Sequence, residues 1–377
     1  METLSNSFSD SIAQAHVILK IAAMAGSYTL KPWPKVVHRI QDSLSCSAQR
    51  QELSQSIMSL SIRQPHDSPN STRPIRYCVV VTNSKAKTPD KYSFIDLFAG
   101  IGGFHLAFHN AGAKCVFASE WDEFARKTYQ ENFQPIEPEL FSSGNFAGDI
   151  TEVDKLQIPD FDILCAGFPC QPFSQAGHKL GFNDVRGTLF FEIAEILRVK
   201  EPQAFFLENV RHLYKHDGGR TYEAIHRILT EELGYKVTEM IVKASDHGLP
   251  QLRPRLFIIG FKDHNVEFEA PKKRELMYTM SEVWEGFVER EVGFTLRVGG
   301  KSSPIADRRN WDGYWVNGEV RRLTPKEGKR MQGFPDDFSF PVPTSQAMKQ
   351  LGNSVAVCAI QDYAIQIIDA LKKAKRK

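Results

Sequence analysis

The chain contains 377 residues, with 47 Lys and Arg against 45 Asp and Glu and a formal net charge of +2. This near balance excludes a histone-like polycation, but it is compatible with a nucleic-acid enzyme that has a local basic cleft. Hydrophobic residues make up 42% and charged residues 24%, which is typical of a globular protein, and at about 150 residues per domain the length predicts two domains and a tail.

Neither the start of the chain nor its cysteines indicate secretion. No apolar run approaches the roughly 18–20 residues that cross a bilayer, and METLSNSFSD lacks the basic stretch that opens a secretory signal. The cysteines form no Cys-x-x-Cys pair and are too sparse for a disulfide scaffold. They are Cys46, Cys78, Cys115, Cys165, Cys170 and Cys358. A reducing, cytoplasmic environment is therefore predicted.

Residues 1–90 differ in composition from the rest of the chain. They are rich in Ser, contain several Pro and show few long apolar patterns. Residues 12–24 predict one amphipathic helix, and residues 63–76 (RQPHDSPNSTRPIR) are typical of a linker. We expect a weakly ordered extension, and a small regulatory or DNA-contacting module is the alternative.

From Tyr92 onward, strand patterns alternate with helical patterns. The predicted strands are 94–98, 115–119, 161–165, 204–207 and 256–261, and the predicted helices are 104–111, 188–199 and 221–233. This alternation predicts an α/β fold with a mainly parallel sheet and crossover helices. Ligands of such sheets bind at the carboxyl ends of the strands, so the loops that follow the strands are the candidate site.

The first of these loops is glycine-rich. Gly100, Gly102 and Gly103 follow the strand that ends at Phe98, and glycines there let the backbone approach a ligand closely. The spacing is not G-x-G-x-x-G, so a dinucleotide pyrophosphate is not required. A tight strand–helix turn without a ligand is an equally good interpretation of this motif alone.

Further loops add the parts of a nucleoside pocket. Glu120 ends the second strand, where an acid commonly binds ribose hydroxyls, and the neighbouring Trp121 can face an adenine ring. Asp149 and Ile150 follow Gly148 in another loop. Together these loops describe a nucleoside site without a pyrophosphate site, as S-adenosylmethionine requires.

Cys170 lies between two prolines in the loop after the strand at 161–165. A cysteine in such a loop is a nucleophile if nearby positive charge or amide dipoles lower its pKa. For a lone cysteine the commoner interpretation is a small buried core residue, which is what we expect of Cys165. No His–Asp partnership accompanies Cys170, so protease chemistry has little support.

Two more strand ends carry charged groups. Glu208 and Asn209 follow the apolar strand at 204–207, where a carboxyl beside an apolar wall can have a raised pKa and donate a proton. A solvent-facing helix-cap acid is the alternative. Arg253 and Arg255, at i and i+2 of an extended segment, point to the same side and can clamp a carbonyl or phosphate, or orient the acid.

Residues 263–325 interrupt the alternation and mix basic with aromatic residues. Such a mixture suits phosphate contact with base or sugar stacking, and an ordinary solvated insertion is equally compatible. The residues are Lys272, Lys273, Arg274, Arg297, Lys301, Arg308, Arg309, Arg321, Arg322, Trp284, Trp311, Tyr314 and Trp315.

The order of these loops resembles one family, the DNA (cytosine-5)-methyltransferases of the bacterial restriction–modification type. The matching segments occur in family order and cover about residues 92–370. They are FIDLFAGIGGF (94–104), EWD (120–122), GDIT (148–151), GFPCQPFS (167–174), RGTLFFEI (186–193), ENV (208–210), QLRPR (251–255), RRLTPKEGKRMQGFP (321–335) and QLGNSVAV (350–357).

The resemblance implies a mechanism for methyl transfer from S-adenosyl-L-methionine to C5 of cytosine. Cys170 would add to C6, and Glu208 would hydrogen-bond or protonate N3 to lower the cost of that addition. Asn209 would fix the neighbouring geometry, and Arg255 with Arg253 would orient the base and stabilise charge at O2. The cytosine must flip out of the duplex, and the loop at 171–187 would close on the DNA.

The resemblance also implies two sets of binding residues and no metal site. The cofactor set comprises Phe98, Gly100, Gly102, Gly103, Glu120, Trp121, Asp149, Ile150, Phe168, Asn353, Ser354 and Val355. Within it, Glu120 is expected at the ribose, Trp121 against adenine and Asp149 at the adenine amino group. The DNA set comprises Gln171, Ser174, Arg186, Arg297, Arg308, Arg309 and Trp311.

The implied fold is a class I S-adenosylmethionine-dependent methyltransferase, a Rossmann-like large domain with a small target-recognition domain. The large domain would comprise residues 91–262 and 351–377, and the small domain with its hinge residues 263–350. The family habit further implies duplex DNA as substrate, a companion restriction endonuclease, a monomer and a nucleoid-associated location. Two departures are the insert at 135–146 and Pro254 between the two arginines.

Two alternatives remain for this chain. A tRNA cytosine methyltransferase is one, because a branch of the family acts on RNA, but the Cys-Phe-Thr signature of that branch is absent from the sequence. A DNA-binding regulator or inactive paralogue is the other, and the intact set of motifs argues against inactivity.

Overall fold

The computed structural model describes residues 92–169, 188–299 and 302–376. The predicted helix at 12–24 and the predicted linker at 63–76 lie outside these residues, as does the rest of the N-terminal extension.

Seven strands form one sheet in the order β3–β2–β1–β4–β5–β7–β6. The strands are β1 (Ser93–Leu97), β2 (Lys114–Ser119), β3 (Phe146–Ala147), β4 (Ile163–Gly167), β5 (Ala204–Val210), β6 (Lys236–Lys243) and β7 (Pro254–Phe261). Neighbouring strands from β3 to β5 pair in parallel, and β7 runs antiparallel to both β5 and β6. The predicted α/β fold with a mainly parallel, Rossmann-like sheet is confirmed. Neither β6 nor the two-residue strand β3 is predicted from the sequence.

The register brings the carboxyl ends of the parallel strands to one edge of the sheet. Leu97 at the end of β1 pairs with Ser119 of β2 on one side and with Ala166 of β4 on the other. Gly167, which ends β4, pairs with Glu208 of β5. The loops that follow β1, β2, β4 and β5 therefore leave the sheet side by side.

Helices cover both faces of the sheet. The helices are α1 (Gly103–Asn110), α2 (Glu123–Phe133), α3 (Pro138–Ser142), α4 (Leu189–Lys200), α5 (Arg220–Arg227), α6 (Met280–Trp284), α7 (Pro325–Gln332), α8 (Thr344–Asn353) and α9 (Val357–Ala374). The C-terminal α9 packs on α1, which follows the first strand. The predicted helix at 221–233 is α5 followed by one π-helical turn over Ile228–Glu232.

The two cores follow from the alternation of side chains along each strand. Phe206 of β5 belongs to the core shared with α1 and α9, whereas its neighbours Phe205 and Leu207 belong to the core shared with α4 and α5. The strands β1, β4 and β5 are buried on both faces, so their sequences are apolar runs without alternation. This explains why the short runs at 94–97 and 204–207 were recognisable as strands.

A separate two-stranded sheet lies in the segment between β7 and α7. It pairs β8 (Gly313–Val316) with β9 (Glu319–Arg322) in antiparallel orientation. Asn317 and Gly318 connect the strands with φ values of 52° and 84°, as a type I′ hairpin turn requires. The Asn-Gly dipeptide between Val316 and Glu319 is the local sequence signal for this hairpin.

No single helix within the described ranges is long and apolar enough to cross a membrane. The pair α8 and α9, bent by 41° at their junction, meets the length and composition criteria only when the two are joined. Both helices bury their apolar residues inside the protein, with Leu351, Ile360 and Ile367 fully buried.

We expect the substitution Gly102→Ala to lower the free energy of unfolding by about 2–5 kcal/mol. Gly102 precedes α1 with φ of 82°, and a Cβ there would lie 2.1 Å from Cε2 of Phe133. The strain of a left-handed backbone at an alanine and the steric overlap with Phe133 both destabilise the variant. Denaturant unfolding measures the sum of the two free energies.

Gly112→Ala is the matched control, because Gly112 has φ of 89° and no described atom lies within 4 Å of the position that its Cβ would occupy. It carries the conformational strain alone, about 1–2 kcal/mol. Equal losses in the two variants would show that close packing against Phe133 contributes nothing.

Candidate active site

The loop after β1 has an unusual backbone that leaves one side open. Phe98, Gly100 and Gly102 all have positive φ, at 54°, 57° and 82°. No described atom lies within 4 Å of the position that a Cβ of Gly100 would occupy, whereas a Cβ on Gly103 would lie 2.5 Å from Cγ2 of Val355. The loop is therefore tightly packed at the start of α1 and free for a ligand at Gly100.

Glu120, directly after β2, holds this loop through hydrogen bonds. Its carboxylate accepts hydrogen bonds from the backbone N–H of Gly100 at 2.7 Å and of Asp122 at 2.8 Å. The side chain is buried, and burial raises the pKa of Glu120 above its usual range. The neighbouring Trp121 is 77% exposed, so its ring is free to stack on a ligand.

The other predicted cofactor residues approach the same edge. Asp149 caps a short 3-10 turn, and its Oδ1 accepts from the backbone N–H of Thr151 at 2.9 Å. Ile150 and Phe168 are buried beneath the loops. Asp149 keeps one carboxylate oxygen outside that cap, so it can still accept from an amino group.

The segment after α8 reaches the glycine loop from the far end of the chain. The methyl groups of Val355 lie over Gly103, the first residue of α1, and Gly167, the last residue of β4. Ser354 is buried beside it, and Asn353 is exposed. The structure thus brings Val355 together with the first loop, as the motif order implied.

Glu208 and Arg255 form a close ion pair at this edge. Arg255 Nε lies 2.8 Å from Glu208 Oε1, and both side chains are mostly buried. The N–H does not point at the oxygen, so Oε1 has no hydrogen-bond partner among the described atoms. A buried carboxylate oxygen that is paired in charge and still lacks a donor is suited to bind a polar group of a substrate.

Asn209 connects this pair to the loop that contains Cys170. Its Nδ2 donates to the carbonyl of Phe168 at 2.9 Å, and its Oδ1 accepts from the N–H of Val210 at 2.8 Å. Phe168 lies two residues before Cys170. Cys170 itself, with Gln171, Ser174 and Arg186, lies outside the described residues.

Arg253 does not join Arg255 beside Glu208. Its side chain is 2% exposed, and its guanidinium donates to the carbonyls of Leu296, Gly352 and Ser354. The expectation that the two arginines would face the same ligand fails here, because carbonyls from two other segments surround the Arg253 guanidinium. Arg253 occupies a position that supports the site from within the core.

Two buried glutamines extend the contacts of Arg253. Gln251 accepts from the N–H of Leu296 at 3.0 Å and donates to the carbonyl of Met331 at 3.0 Å. Gln332 donates to the carbonyl of Leu351 at 2.8 Å. Sequence reasoning missed both glutamines, although they stand in the QLRPR and RMQGFP motifs.

The predicted DNA contacts divide into exposed and buried residues. Arg297 and Arg308 are exposed, and Arg309 is exposed with its Nη2 2.8 Å from Oδ2 of Asp307. Trp311 is 1% exposed, and its Nε1 donates to the carbonyl of Gly299 at 2.9 Å. The prediction that Trp311 contacts DNA is therefore wrong, because its ring fills the core of this segment. Trp315, at 56% exposure, is the accessible tryptophan nearby.

Comparisons with known proteins identify the family. The pattern of the family described as C-5 cytosine-specific DNA methylase matches residues 92–292 and 289–369. The chain belongs to the C-5 cytosine-specific DNA methylase family. It is therefore a DNA cytosine-5-methyltransferase, and its methyl donor is S-adenosyl-L-methionine.

Individual relatives resemble the methylase along most of their length. Type II methyltransferase M1.ScrFI of Lactococcus lactis subsp. cremoris is 44% identical over 322 residues, covering 76% of this chain and 80% of that protein. Type II methyltransferase M.HpaII of Haemophilus parainfluenzae is 42% identical over 347 residues, covering 78% and 94%. A solved Escherichia coli structure, a putative DNA modification methyltransferase encoded within a prophage, has a TM-score of 0.57 at 20% identity, covering 75% of this chain and 100% of that one.

The residues around Gly100 fit the methyl donor. The open space at Gly100, the exposed ring of Trp121 and the buried carboxylate of Glu120 offer close backbone approach, a stacking surface and an acceptor for hydroxyl groups. A neutral or cationic nucleoside needs no phosphate-binding lysine or arginine here, in agreement with the glycine spacing.

We expect binding of S-adenosyl-L-methionine to weaken as the pH falls through the raised pKa of Glu120, at a higher pH than an ordinary glutamate would produce. The protonated carboxyl loses its charge and with it a charge-assisted hydrogen bond to a hydroxyl. Glu120→Gln should weaken binding by roughly tenfold or more at neutral pH and flatten the pH profile. Calorimetric titration over a mildly acidic to neutral series measures both effects.

Glu123→Gln provides the control, since Glu123 is an exposed carboxyl in the first turn of α2. It should bind the methyl donor as the unmodified protein does. An unchanged pH profile in Glu120→Gln would remove Glu120 from the binding site.

Proposed function

We propose that the methylase modifies a flipped-out cytosine within a short specific sequence of duplex DNA, through a covalent bond between Cys170 and C6. We further propose that it is the protective methylase of a restriction–modification system. The relatives named Type II methyltransferases support that setting. The observation that carries the proposal is the Glu208–Arg255 pair, which lies beside Gly167 at the end of β4, three residues before Cys170, and at the same sheet edge as the predicted cofactor residues.

The proposed chemistry begins at Cys170. Its thiolate attacks C6, the S–C6 bond forms, and the electron pair of the C5–C6 double bond becomes available at C5. S-adenosyl-L-methionine, when bound, supplies a methyl group activated by a sulfonium centre. After C5 is methylated, loss of the C5 proton to a base restores the double bond and expels the Cys170 thiolate.

Glu208 and Arg255 would stabilise the charge that this addition creates. Glu208 would place Oε1, which accepts no hydrogen bond from the described atoms, at cytosine N3 and supply a proton or hydrogen bond there. Arg255, held 2.8 Å from Glu208, would direct its remaining N–H groups to O2. Asn209 would act as a positioning residue, because it holds the Phe168 carbonyl at the entrance of the Cys170 loop.

The substrate atoms are inaccessible inside a duplex, so we propose that the cytosine rotates out of the stack. Residues 91–262 and 351–377 would form the catalytic domain, and residues 263–350 would read the DNA sequence. The loop at 171–187, with Gln171, Ser174 and Arg186, would close over the extruded base. The methylase would act as a monomer on DNA of the cytoplasmic nucleoid, alongside a companion endonuclease.

Replacing the target cytosine with 5-fluorocytosine should trap the methylase on DNA. Fluorine at C5 cannot leave as a proton does, so elimination of Cys170 is blocked and the adduct survives denaturing electrophoresis. Bisulfite sequencing of DNA from cells that express the methylase identifies the target site for this duplex. Cys170→Ala should form no adduct and transfer no methyl group.

Cys165→Ala is the matched control, because Cys165 is fully buried in β4 five residues earlier. It should cost stability through lost packing and still form the adduct. Methyl transfer by Cys170→Ala would overturn the assigned nucleophile.

DNA affinity should fall steeply with salt, because lysines and arginines at the DNA release counterions. Arg297→Ala and Arg308→Ala should each reduce the slope of log affinity against log salt by about one. Fluorescence anisotropy with a duplex that contains the target site measures this slope.

Lys372→Ala, at an exposed position on α9, should leave the slope unchanged. If Arg297→Ala and Arg308→Ala also keep the slope of the unmodified protein, Arg297 and Arg308 do not contact the DNA.

A further inference from the structure

Three side chains outside the proposed active site converge beside α1. His105 and His109 stand one helical turn apart on α1, and Glu137 begins the short helix α3. One ligand atom from each lies within 4.8 Å of the other two. The insert at 135–146, for which the family motifs gave no function, supplies the carboxylate.

His105 is the residue that a simple structural role does not explain. It is fully buried, and its Nδ1 lies 2.6 Å from the hydroxyl of Tyr129. Its Nε2 has no hydrogen-bond partner within the described part of the chain. With Nδ1 as the donor to the Tyr129 hydroxyl, Nε2 of the neutral ring carries a lone pair that no described group uses.

An ordinary ion pair accounts for only two of the three residues. His109 Nδ1 lies 3.6 Å from Glu137 Oε1, and His109 is about one-third exposed, so a protonated His109 can pair with Glu137. That pair leaves Nε2 of His105 buried and without a hydrogen-bond partner among the described atoms, which is unfavourable. A Lewis acid shared by all three residues satisfies Nε2 as well.

We propose that His105, His109 and Glu137 bind a divalent transition-metal ion of the zinc type. Two imidazole nitrogens and one carboxylate form a common three-ligand zinc set, with water completing a tetrahedron. Magnesium and calcium prefer all-oxygen ligands and do not suit this set.

The surroundings hold the ligands as a metal site requires. The Tyr129 hydroxyl orients the His105 ring from the nitrogen that faces away from the ion, and the ring stacks on Phe133 at 4.0 Å between centroids. The backbone N–H of Glu137 donates to the carbonyl of Phe133 at 2.8 Å. The ligand atoms therefore need only small side-chain movements to reach bonding distance.

The ion would join α1 to the insert. Since α1 begins at Gly103, directly after the cofactor loop, this bond would stabilise the helix that closes that loop. The role is structural and involves none of the groups proposed for methyl transfer. The two histidines at i and i+4 on one helix were the available sequence signal, but Glu137 is distant from them in the chain.

The test uses the full-length, untagged methylase, stripped with a chelator and titrated with Zn²⁺. We expect one bound Zn²⁺ at this site and an increase in Tm on binding. Glu137→Gln and His109→Gln should each weaken Zn²⁺ binding by at least roughly tenfold and abolish the Tm increase. His109 is about one-third exposed and Glu137 is buried, so circular dichroism together with the metal-free Tm verifies that the variants fold.

Glu139→Gln is the control, because Glu139 lies two residues beyond Glu137 and makes an exposed ion pair with Lys114. It should bind Zn²⁺ as the unmodified protein does. Co²⁺ separates this site from a thiolate site. The unmodified protein with Co²⁺ should show the absorption bands of tetrahedral nitrogen and oxygen ligation, without the charge-transfer absorption that a cysteine ligand adds. Glu137→Gln should lose these bands.

Zn²⁺ affinity that is unchanged in both variants, or no binding by the unmodified protein, would overturn the proposal. Thiolate charge transfer that persists in Glu137→Gln would assign the ion to a cysteine and overturn it equally. Methyl transfer does not enter any of these measurements, so their failure leaves the proposed catalytic function unaffected.

Discussion

A single buried guanidinium connects three distant parts of this methylase. Arg253 donates to the carbonyls of Leu296, Gly352 and Ser354. A buried cation is unfavourable unless its N–H groups find acceptors. The two terminal nitrogens of Arg253 find theirs when the start of β7, the segment around Leu296 and the segment after α8 assemble together, whereas Nε has no partner among the described atoms. That assembly places Val355 over Gly103, directly after the glycine-rich loop that follows β1.

The orientation of one strand decides the composition of the proposed catalytic centre. Parallel strands bring their carboxyl ends to the ligand edge, whereas β7 runs antiparallel and brings its amino end there. Arg255 stands at that amino end and pairs with Val210, two residues from Glu208. Glu208 at the end of β5 and Arg255 at the beginning of β7 therefore form their ion pair directly between neighbouring strands. Because neither residue stands on a loop, the sheet holds the pair rigidly.

Prediction from the sequence was most successful where the physical signal is local. The apolar runs of β1, β4 and β5, the glycines after β1 and the acid at the end of β2 follow from strand burial and loop geometry. Trp311 was misassigned because a tryptophan among arginines has the same local pattern whether its ring is exposed or buried. The same limit applies to Arg253, whose partners lie 43 to 101 positions away in the chain.

The sequence by itself determined the fold class, the order of the loops and, through its motifs, the family and methyl donor. Only the tertiary structure decided which charged residues meet: Arg255 with Glu208, Arg253 with backbone carbonyls, and Glu137 with two histidines. The physical reason is that secondary structure and its loops are set by neighbours along the chain. Charge pairing and the satisfaction of buried polar groups depend instead on contacts that close only when the sheet and helices pack.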